Sequence, residues 1–210
     1  MKYLAILITV SLWGCHLTKH EIKEGDLLFK ETKRNVLSDA ISNVTDTTGT
    51  YRFSHIGVLI KDKYQWQVIE STPGKGVRIC PLEAFCLPAK GEEAKVVVGR
   101  LKEQFPFDLE KLKEYAYKQI DKPYDYPFVW NDSAFYCSEL VYKMFVNAGQ
   151  TEAFALNVMT FKQAGEEQFD PTWIHYFQQH QAPIPEGKMG INPNAMAKSQ
   201  AVELLFELEH

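Results

Sequence analysis

The stretch "DSAFYCSELVYKMFVNAG", residues 132–149, places one cysteine, Cys137, near the start of an amphipathic helix. Five apolar residues recur at helical spacing and predict a buried stripe: Leu140, Val141, Met144, Phe145 and Ala148. Gly149 predicts the end of this helix, and Asp132 or Ser133 its N-cap, so that Cys137 lies about one turn in. Unpaired backbone N–H groups at that end of a helix favour thiolate over thiol, which makes Cys137 a candidate nucleophile.

A reactive cysteine also needs a base, because a free thiol with a pKa of ~8.5 is only a few per cent ionised at neutral pH. His55 begins the apolar run "SHIGVLI" (54–60), so its ring is expected at the end of a sheet and not in the core. The other histidines lie in the N-terminal segment, on a late helix or in a final Leu-Glu-His that resembles a purification tag: His16, His20, His175, His180 and His210. His55 is therefore the candidate base, although a histidine that only closes a strand is the simpler interpretation.

Residues 54–60 and 64–72 predict a β-hairpin, with "KDK" as its turn. Counting from the turn places Glu70 at or next to the position opposite His55. A carboxylate there can accept a hydrogen bond from one imidazole nitrogen and so orient the other nitrogen toward a thiol. The alternative for Glu70 is an ion pair with a surface lysine.

The remaining patterns predict a mixed α and β chain. Further strands are predicted at 25–29, 77–80 and 94–101, and Pro81 opens a short helical turn. Further helices are predicted at 34–45, at 108–120 with Asp108 as N-cap, at 170–180 with Asp170 as N-cap, and weakly from about Pro193.

Composition limits the classes of function. The chain has 210 residues, 45% of them hydrophobic, and a net charge of −4, which suits one well-filled domain. Nucleic acid is not an expected partner, because phosphate binding needs a basic face. A metal site is not expected either, since the sequence contains no Cys-x-x-Cys and its one His-x-x-x-His, His16 and His20, lies in the N-terminal segment. No cofactor is expected.

Residues 1–15, "MKYLAILITVSLWGC", predict a secretory signal, because the apolar run is too short to span a bilayer. Its ending, Leu-x-Gly-Cys, resembles the lipobox of bacterial lipoproteins, in which Cys15 would carry the lipid. Residues 16–23 would then be a tether, and the protein would be anchored in the cell envelope, facing the periplasm or the exterior. Plain secretion or an uncleaved anchor is the alternative.

Two further cysteines, Cys80 and Cys86, lie six residues apart. They could form a disulfide in an oxidising compartment. The preferred prediction is two buried thiols, one ending a strand and one on a short helix.

Five motifs occur in an order that points to a known family: "EGDLLF" (24–29), "FSHIGVLI" (53–60), "VIEST" (68–72), "KPYDYPF" (122–128) and "YCSELVYK" (136–143). In this respect the chain resembles the circularly permuted NlpC-type papain-like cysteine amidases, the YiiX-like group. The resemblance implies an α+β fold, with an antiparallel sheet packed against helices and the nucleophile at a helix N-terminus. It also implies the permuted order seen here, in which His55 and Glu70 precede Cys137.

The resemblance further implies roles for single residues. Cys137 would be the nucleophile, His55 the general base and Glu70 the residue that orients the imidazole. Tyr124 would line the substrate cleft, with simple packing as the alternative. Tyr136 could line the same cleft, although packing is the preferred interpretation for it. The backbone N–H of Cys137 would help to form an oxyanion hole.

The function implied is a cell-envelope hydrolase that cleaves an amide through a thioester, with cell-wall peptides as the leading substrate. A lipid hydrolase or acyltransferase is the alternative, and a non-catalytic binding protein is a third possibility. A long hydrophobic cleft would favour the lipid, whereas carboxylate and amine anchors would favour the peptide. The catalytic domain is predicted at 24–185, followed by a tail at 186–210; the sequence leaves the oligomeric state open.

Overall fold

The structure, a computed structural model, describes residues 21–32, 40–41, 44–45, 51–87 and 94–208. The predicted signal segment with Cys15, most of the tether and most of the helix predicted at 34–45 lie outside the described residues.

An antiparallel sheet organises the domain. Within the described residues its six strands are β1 (Leu27–Thr32), β2 (His55–Asp62), β3 (Gln65–Thr72), β4 (Gly76–Pro81), β5 (Ala94–Leu101) and β8 (Val202–Glu207), in the spatial order β4-β3-β2-β1-β5-β8. A separate two-stranded sheet pairs β6 (Asn157–Val158) with β7 (Met189–Gly190). The strands predicted from the sequence are confirmed, including the β2–β3 hairpin.

The helices of the described segments are α1 (Leu82–Cys86), α2 (Leu109–Tyr117), α3 (Cys137–Asn147), α4 (Pro171–Gln179) and α5 (Pro193–Ala197). Asp108 caps α2 by accepting a hydrogen bond from Lys111 N, and Asp170 caps α4 by accepting from Thr172 N, as predicted. None of these helices is long and apolar enough to cross a membrane.

The two faces of the sheet pack against different helices. Ile56, Val58 and Ile60 alternate along β2 and bury themselves against α3 in the main core. Leu59 points to the opposite face, where it joins a smaller apolar cluster with Phe85 of α1. The predicted α+β fold, a sheet packed against helices, is therefore confirmed.

The predicted cap of α3 is wrong. The helix begins at Cys137, with Tyr136 as an N-cap that makes no side-chain hydrogen bond. Phe135 N donates to Pro123 O, and Asp125 N donates to Phe135 O, which keeps the backbone extended up to the first helical residue. Cys137 therefore lies at the helix terminus itself and not one turn inside it.

The C-terminal segment also differs from the prediction. The helix that begins at Pro193 ends at Ala197, and the next residues form the edge strand β8, in which Val202 pairs with Leu101 of β5. β-branched and aromatic residues fit an open sheet edge, and this tertiary pairing overrides a weak helical pattern. Residues beyond 185 thus contribute β7, α5 and β8, so the expected boundary between domain and tail does not coincide with a break in the fold.

Candidate active site

The β2–β3 hairpin brings His55 and Glu70 together. In its register Val58 pairs with Ile69, and continuing that register places Glu70 opposite Gly57. His55 lies two residues from Gly57 and so points to the same face of the sheet. Its Nε2 atom lies 2.5 Å from Glu70 Oε2. The predicted contact is present, although the register is shifted by two residues from the predicted one.

Arg78 of β4 holds the other oxygen of Glu70. Its Nε and Nη2 atoms donate to Glu70 Oε1 over 2.8 and 2.5 Å, and the two residues are paired in the β3–β4 register. Burial alone would raise the pKa of Glu70, but hydrogen bonds from His55 and Arg78 lower it to about 2. Glu70 is therefore an ionised carboxylate fixed from both sides.

Cys137 lies against the imidazole of His55. Helix α3 packs across β2 and brings the sulfur of Cys137 close enough to the His55 ring to affect the pKa of the imidazole. Since Nε2 faces Glu70, Nδ1 is the ring nitrogen that remains for the sulfur. Burial lowers the pKa of His55, but the interactions with Cys137 and Glu70 outweigh it and raise the pKa to about 9. The imidazole is thus protonated at neutral pH beside the sulfur atom.

The helix terminus supplies donors around Cys137. As the first residue of α3, it has a backbone N–H without an intrahelical acceptor. Ser138 anchors this end of the helix, because its hydroxyl donates to Ile191 O over 2.9 Å. The arrangement is suited to binding a developing negative charge.

Tyr124 and Tyr136 lie beside Cys137 and line the same cavity. Burial, followed by the nearby charge of Cys137, holds the pKa of Tyr124 well above its usual value, so the phenol remains a donor. The hydroxyl of Tyr136 accepts a hydrogen bond from Ile191 N. Tyr136 therefore packs as well as lining the cleft; a substrate contact by either ring stays a prediction.

The cavity next to Cys137 and the open solvent at its mouth together span about 730 Å³. Its wall is mainly apolar, from Ile41, Val44, Tyr124, Phe128, Tyr136, Val158, Met159, Phe161, Trp173, Ile191 and Pro193. Of the described residues that line it, none carries a charged side chain at neutral pH apart from Cys137 when ionised. We refer to it below as the apolar cavity.

The other two described cysteines are free thiols, and both are buried. Cys80 lies in β4 and Cys86 ends α1, so the prediction of two buried thiols is confirmed. Burial raises the pKa of Cys80 to about 12, assisted by the charge of Glu70, and burial raises the pKa of Cys86 to about 11. Neither thiol is poised for nucleophilic chemistry.

Glu139, two residues after the cysteine, has a structural role. It is fully buried and forms an ion pair with Lys143 over 2.8 Å, and it accepts a hydrogen bond from Asn131 N. Burial raises its pKa to about 7. Its contacts tie α3 to the loop before it and not to the thiol.

A cysteine at a helix N-terminus, an imidazole on the neighbouring strand and a carboxylate behind it define a papain-like cysteine hydrolase. Residues 21–206 match the family described as permuted papain-like amidase enzyme, YaeF/YiiX, C92 family, and the chain belongs to that family. It is accordingly a hydrolase of the cysteine amidase and peptidase class.

Two relatives come from Escherichia coli. The chain is 34% identical over 125 residues to the uncharacterized protein YiiX of strain K12, a match that spans 59% of this chain and 57% of that protein. The crystal structure of metalloprotein yiiX from strain O157:H7 superposes with a TM-score of 0.68 at 26% identity, covering 89% of this chain and 97% of that one. In the part of the present chain that is described, no group of three or more His, Cys, Asp or Glu side chains could hold a metal ion.

Proposed function

We propose that the protein hydrolyses an amide through a thioester at Cys137. The sulfur attacks the carbonyl carbon, and His55 gives its proton to the nitrogen as the carbon–nitrogen bond breaks. Water then loses a proton to His55 and attacks the thioester, which releases the acid and the thiol. Glu70 keeps the imidazole oriented through both steps. The closeness of Cys137, at the start of α3, to a His55 ring that is held by Glu70 is the observation that carries this proposal.

The apolar cavity supports an apolar acyl group as the part of the substrate that becomes the thioester. A peptide substrate would call for carboxylate or amine anchors, and the described lining of the cavity offers hydroxyl, amide and apolar groups instead. Its aromatic and aliphatic walls suit a hydrocarbon chain, whose burial contributes roughly 0.8 kcal/mol per methylene. An apolar acyl amide is therefore our preferred substrate, ahead of the cell-wall peptide expected from the sequence.

The location of this chemistry is a further part of the proposal. Residues 1–15 support export and attachment of a lipid at Cys15, which would hold the enzyme in the cell envelope. The cell envelope contains both acylated compounds and cell-wall peptides. Growth with a radiolabelled fatty acid tests the anchor: label should enter the wild-type protein and be absent from Cys15→Ala.

The thioester itself can be trapped. After incubation with dodecanoyl-4-nitroanilide and an acid quench, peptide mass spectrometry should find a dodecanoyl group on Cys137, which hydroxylamine removes. The matched controls are Cys137→Ala, expected to form neither adduct nor nitroaniline, and Cys86→Ala, expected to behave as wild type. Release of nitroaniline at the wild-type rate by Cys137→Ala would overturn the mechanism and leave a binding protein as the better description.

A further inference from the structure

One short segment of the C-terminal region contacts both elements that carry the reacting groups. Residues 191–194 follow β7 and include the first residues of α5. Their hydrogen bonds reach the start of α3, where Cys137 lies, and the chain that leads into β2, where His55 lies. These residues belong to the region that the sequence predicted as a tail.

Ile191 binds the two residues that flank Cys137. The hydroxyl of Ser138 donates to Ile191 O over 2.9 Å, and Ile191 N donates to the hydroxyl of Tyr136 over 3.3 Å. Both hydrogen bonds are buried. The start of α3 is therefore attached to the 191–194 segment on either side of the nucleophile.

Asn194 binds the backbone two residues before His55. Its side chain is buried, its Oδ1 atom accepts a hydrogen bond from Phe53 N over 2.8 Å, and its Nδ2 atom donates to Phe53 O over 3.1 Å. Strand β2 begins at His55, so this one amide takes up both backbone polar groups of a buried residue that precedes the strand. Nδ2 also donates to Thr45 Oγ1 over 3.2 Å. The entry into β2 is thus attached to the same segment as the start of α3.

The separation of the sulfur from the imidazole depends on how α3 lies on β2. The core between these two elements is apolar, and the hydrophobic effect that drives its burial is not directional. Hydrogen bonds, in contrast, restrict both distance and angle. The 191–194 segment makes two of them to residues beside Cys137 and two to Phe53. It can therefore fix a distance on which the rate depends steeply, since a displacement of about 1 Å in an active site can cost about 100-fold.

We propose that Asn194 is a positioning residue of the active site, which acts together with Ile191 to hold His55 beside the sulfur of Cys137. This inference rests on the proposed function, since the positioning serves the same reaction at Cys137. Asn194 lies outside the described lining of the apolar cavity. Its contribution is therefore to the chemical step and not to the binding of the acyl group.

The test variant is Asn194→Ala, and the matched control is Ser199→Ala. The hydroxyl of Ser199, just after α5, also joins the C-terminal region to a distant backbone carbonyl, that of Ala153. In the full-length protein at neutral pH, we expect iodoacetamide to label Cys137 at least about threefold more slowly in Asn194→Ala than in wild type. Ser199→Ala should react as wild type does. The buried thiols Cys80 and Cys86 report on unfolding, and their labelling should stay slow in both variants.

Steady-state kinetics separate positioning from a loss of folded protein. With dodecanoyl-4-nitroanilide, kcat of Asn194→Ala should fall about tenfold while KM changes by less than about twofold. The alkaline limb of its pH profile should shift to lower pH, because Cys137 helps to raise the pKa of His55. A smaller folded fraction would lower kcat without moving the pH profile. If Asn194→Ala does not fold, Asn194→Asp, which keeps an acceptor for Phe53 N but not the amide donor, replaces it with the same expectation.

A double variant tests whether the two ends of the segment act as one unit. Ser138→Ala removes the hydrogen bond to Ile191 O, and Asn194→Ala removes those to Phe53. If one segment couples them, Cys137 in the double variant should be labelled no more slowly than in the slower single variant. Effects that multiply would show that the two contacts act separately, which would overturn the coupling.

A folded Asn194→Ala protein with the labelling rate and the pH profile of wild type would also overturn the inference. If wild type hydrolyses the anilide in that case, the amidase stands and only the positioning role fails. If Asn194→Ala slows the labelling of Cys137 but wild type hydrolyses no acyl amide, the positioning role stands and the amidase fails.

Discussion

His55 and Glu70 are joined through a defined pair of atoms, Nε2 and Oε2, 2.5 Å apart. The contact leaves Nδ1 as the nitrogen that can serve the sulfur of Cys137. Arg78 occupies the other oxygen of Glu70, so the carboxylate cannot rotate away without losing a second charged partner. Residues of three adjacent strands, β2, β3 and β4, therefore fix the orientation of the imidazole.

Replacing Glu70 by Gln should lower kcat/KM about 10²- to 10⁴-fold, because the amide keeps the shape but cannot stabilise the imidazolium. In the same variant, the alkaline limb of the pH profile of kcat/KM should shift to lower pH, because Glu70 helps to raise the pKa of His55. Glu83→Gln is the control, because it removes the same charge from the exposed start of α1. An unchanged alkaline limb in Glu70→Gln would contradict the assigned role.

Alkylation should be selective among the three described cysteines. Burial raises the pKa of Cys80 to about 12 and that of Cys86 to about 11, so both remain thiols at neutral pH. In the folded protein, iodoacetamide should label Cys137 at least about 100-fold faster than either, as judged by peptide mass spectrometry. After denaturation in urea the three rates should converge. Comparable labelling of Cys80 in the native protein would refute this ordering.

Gly76 should tolerate alanine less well than Gly74. Both residues have positive φ angles, +66° and +76°, so both variants carry the same backbone strain. A Cβ at Gly76 would run into the carbonyl oxygen of Lys122, whereas a Cβ at Gly74 meets no described atom within 4 Å. We expect Gly76→Ala to lower the free energy of unfolding by about 1–3 kcal/mol more than Gly74→Ala, measured by urea titration. Equal decreases in the free energy of unfolding for the two variants would show that the backbone at Lys122 moves away from the added Cβ without loss of stability.

The stability of the fold should depend on pH through His55. Burial lowers its pKa, but Cys137 and Glu70 raise it from 6.5 to about 9. A group whose pKa is raised by folding stabilises the native state fully below its unfolded pKa and loses that contribution as pH rises through the folded value. Between pH 6.5 and 9, the free energy of unfolding of wild type should therefore fall by about 2 kcal/mol more than that of His55→Gln.

Urea titrations across that pH range provide the measurement. The pKa of Glu70 changes in the opposite direction, so its contribution is lost only as pH falls from 4.5 toward about 2. It therefore does not interfere with the alkaline window. Parallel curves for wild type and His55→Gln would mean that folding leaves the affinity of His55 for its proton unchanged.

Local patterns were sufficient to predict the hairpin and the pairing of His55 with Glu70. Both residues lie on strands joined by one short turn. The alternation of side chains between the two faces of a strand, together with the distance of each residue from the turn, therefore indicates which side chains are in contact. The buried stripe of α3 was equally local, and Gly149 ends the helix with φ +86°, as its position suggested. These features need no knowledge of the rest of the chain.

What the sequence failed to predict depends on distant partners. The start of α3 is set by Phe135 pairing with the backbone around Tyr124, and β8 exists because β5 offers it an open edge. Arg78 was missed as the second partner of Glu70, since that contact crosses to a third strand. The alternating pattern of "VRIC" (77–80) could have indicated this contact, because it places Arg78 and Cys80 on the face of the sheet that carries Glu70.

The central claim is that His55 activates Cys137, and the alkylation rate of Cys137 at neutral pH tests it most directly. Wild type, His55→Ala and the control His175→Ala, an exposed histidine of α4, are treated with iodoacetamide and followed by peptide mass spectrometry. We predict that His55→Ala reacts at least about tenfold more slowly, while His175→Ala reacts as wild type does. Equal rates in wild type and a folded His55→Ala protein would contradict the account.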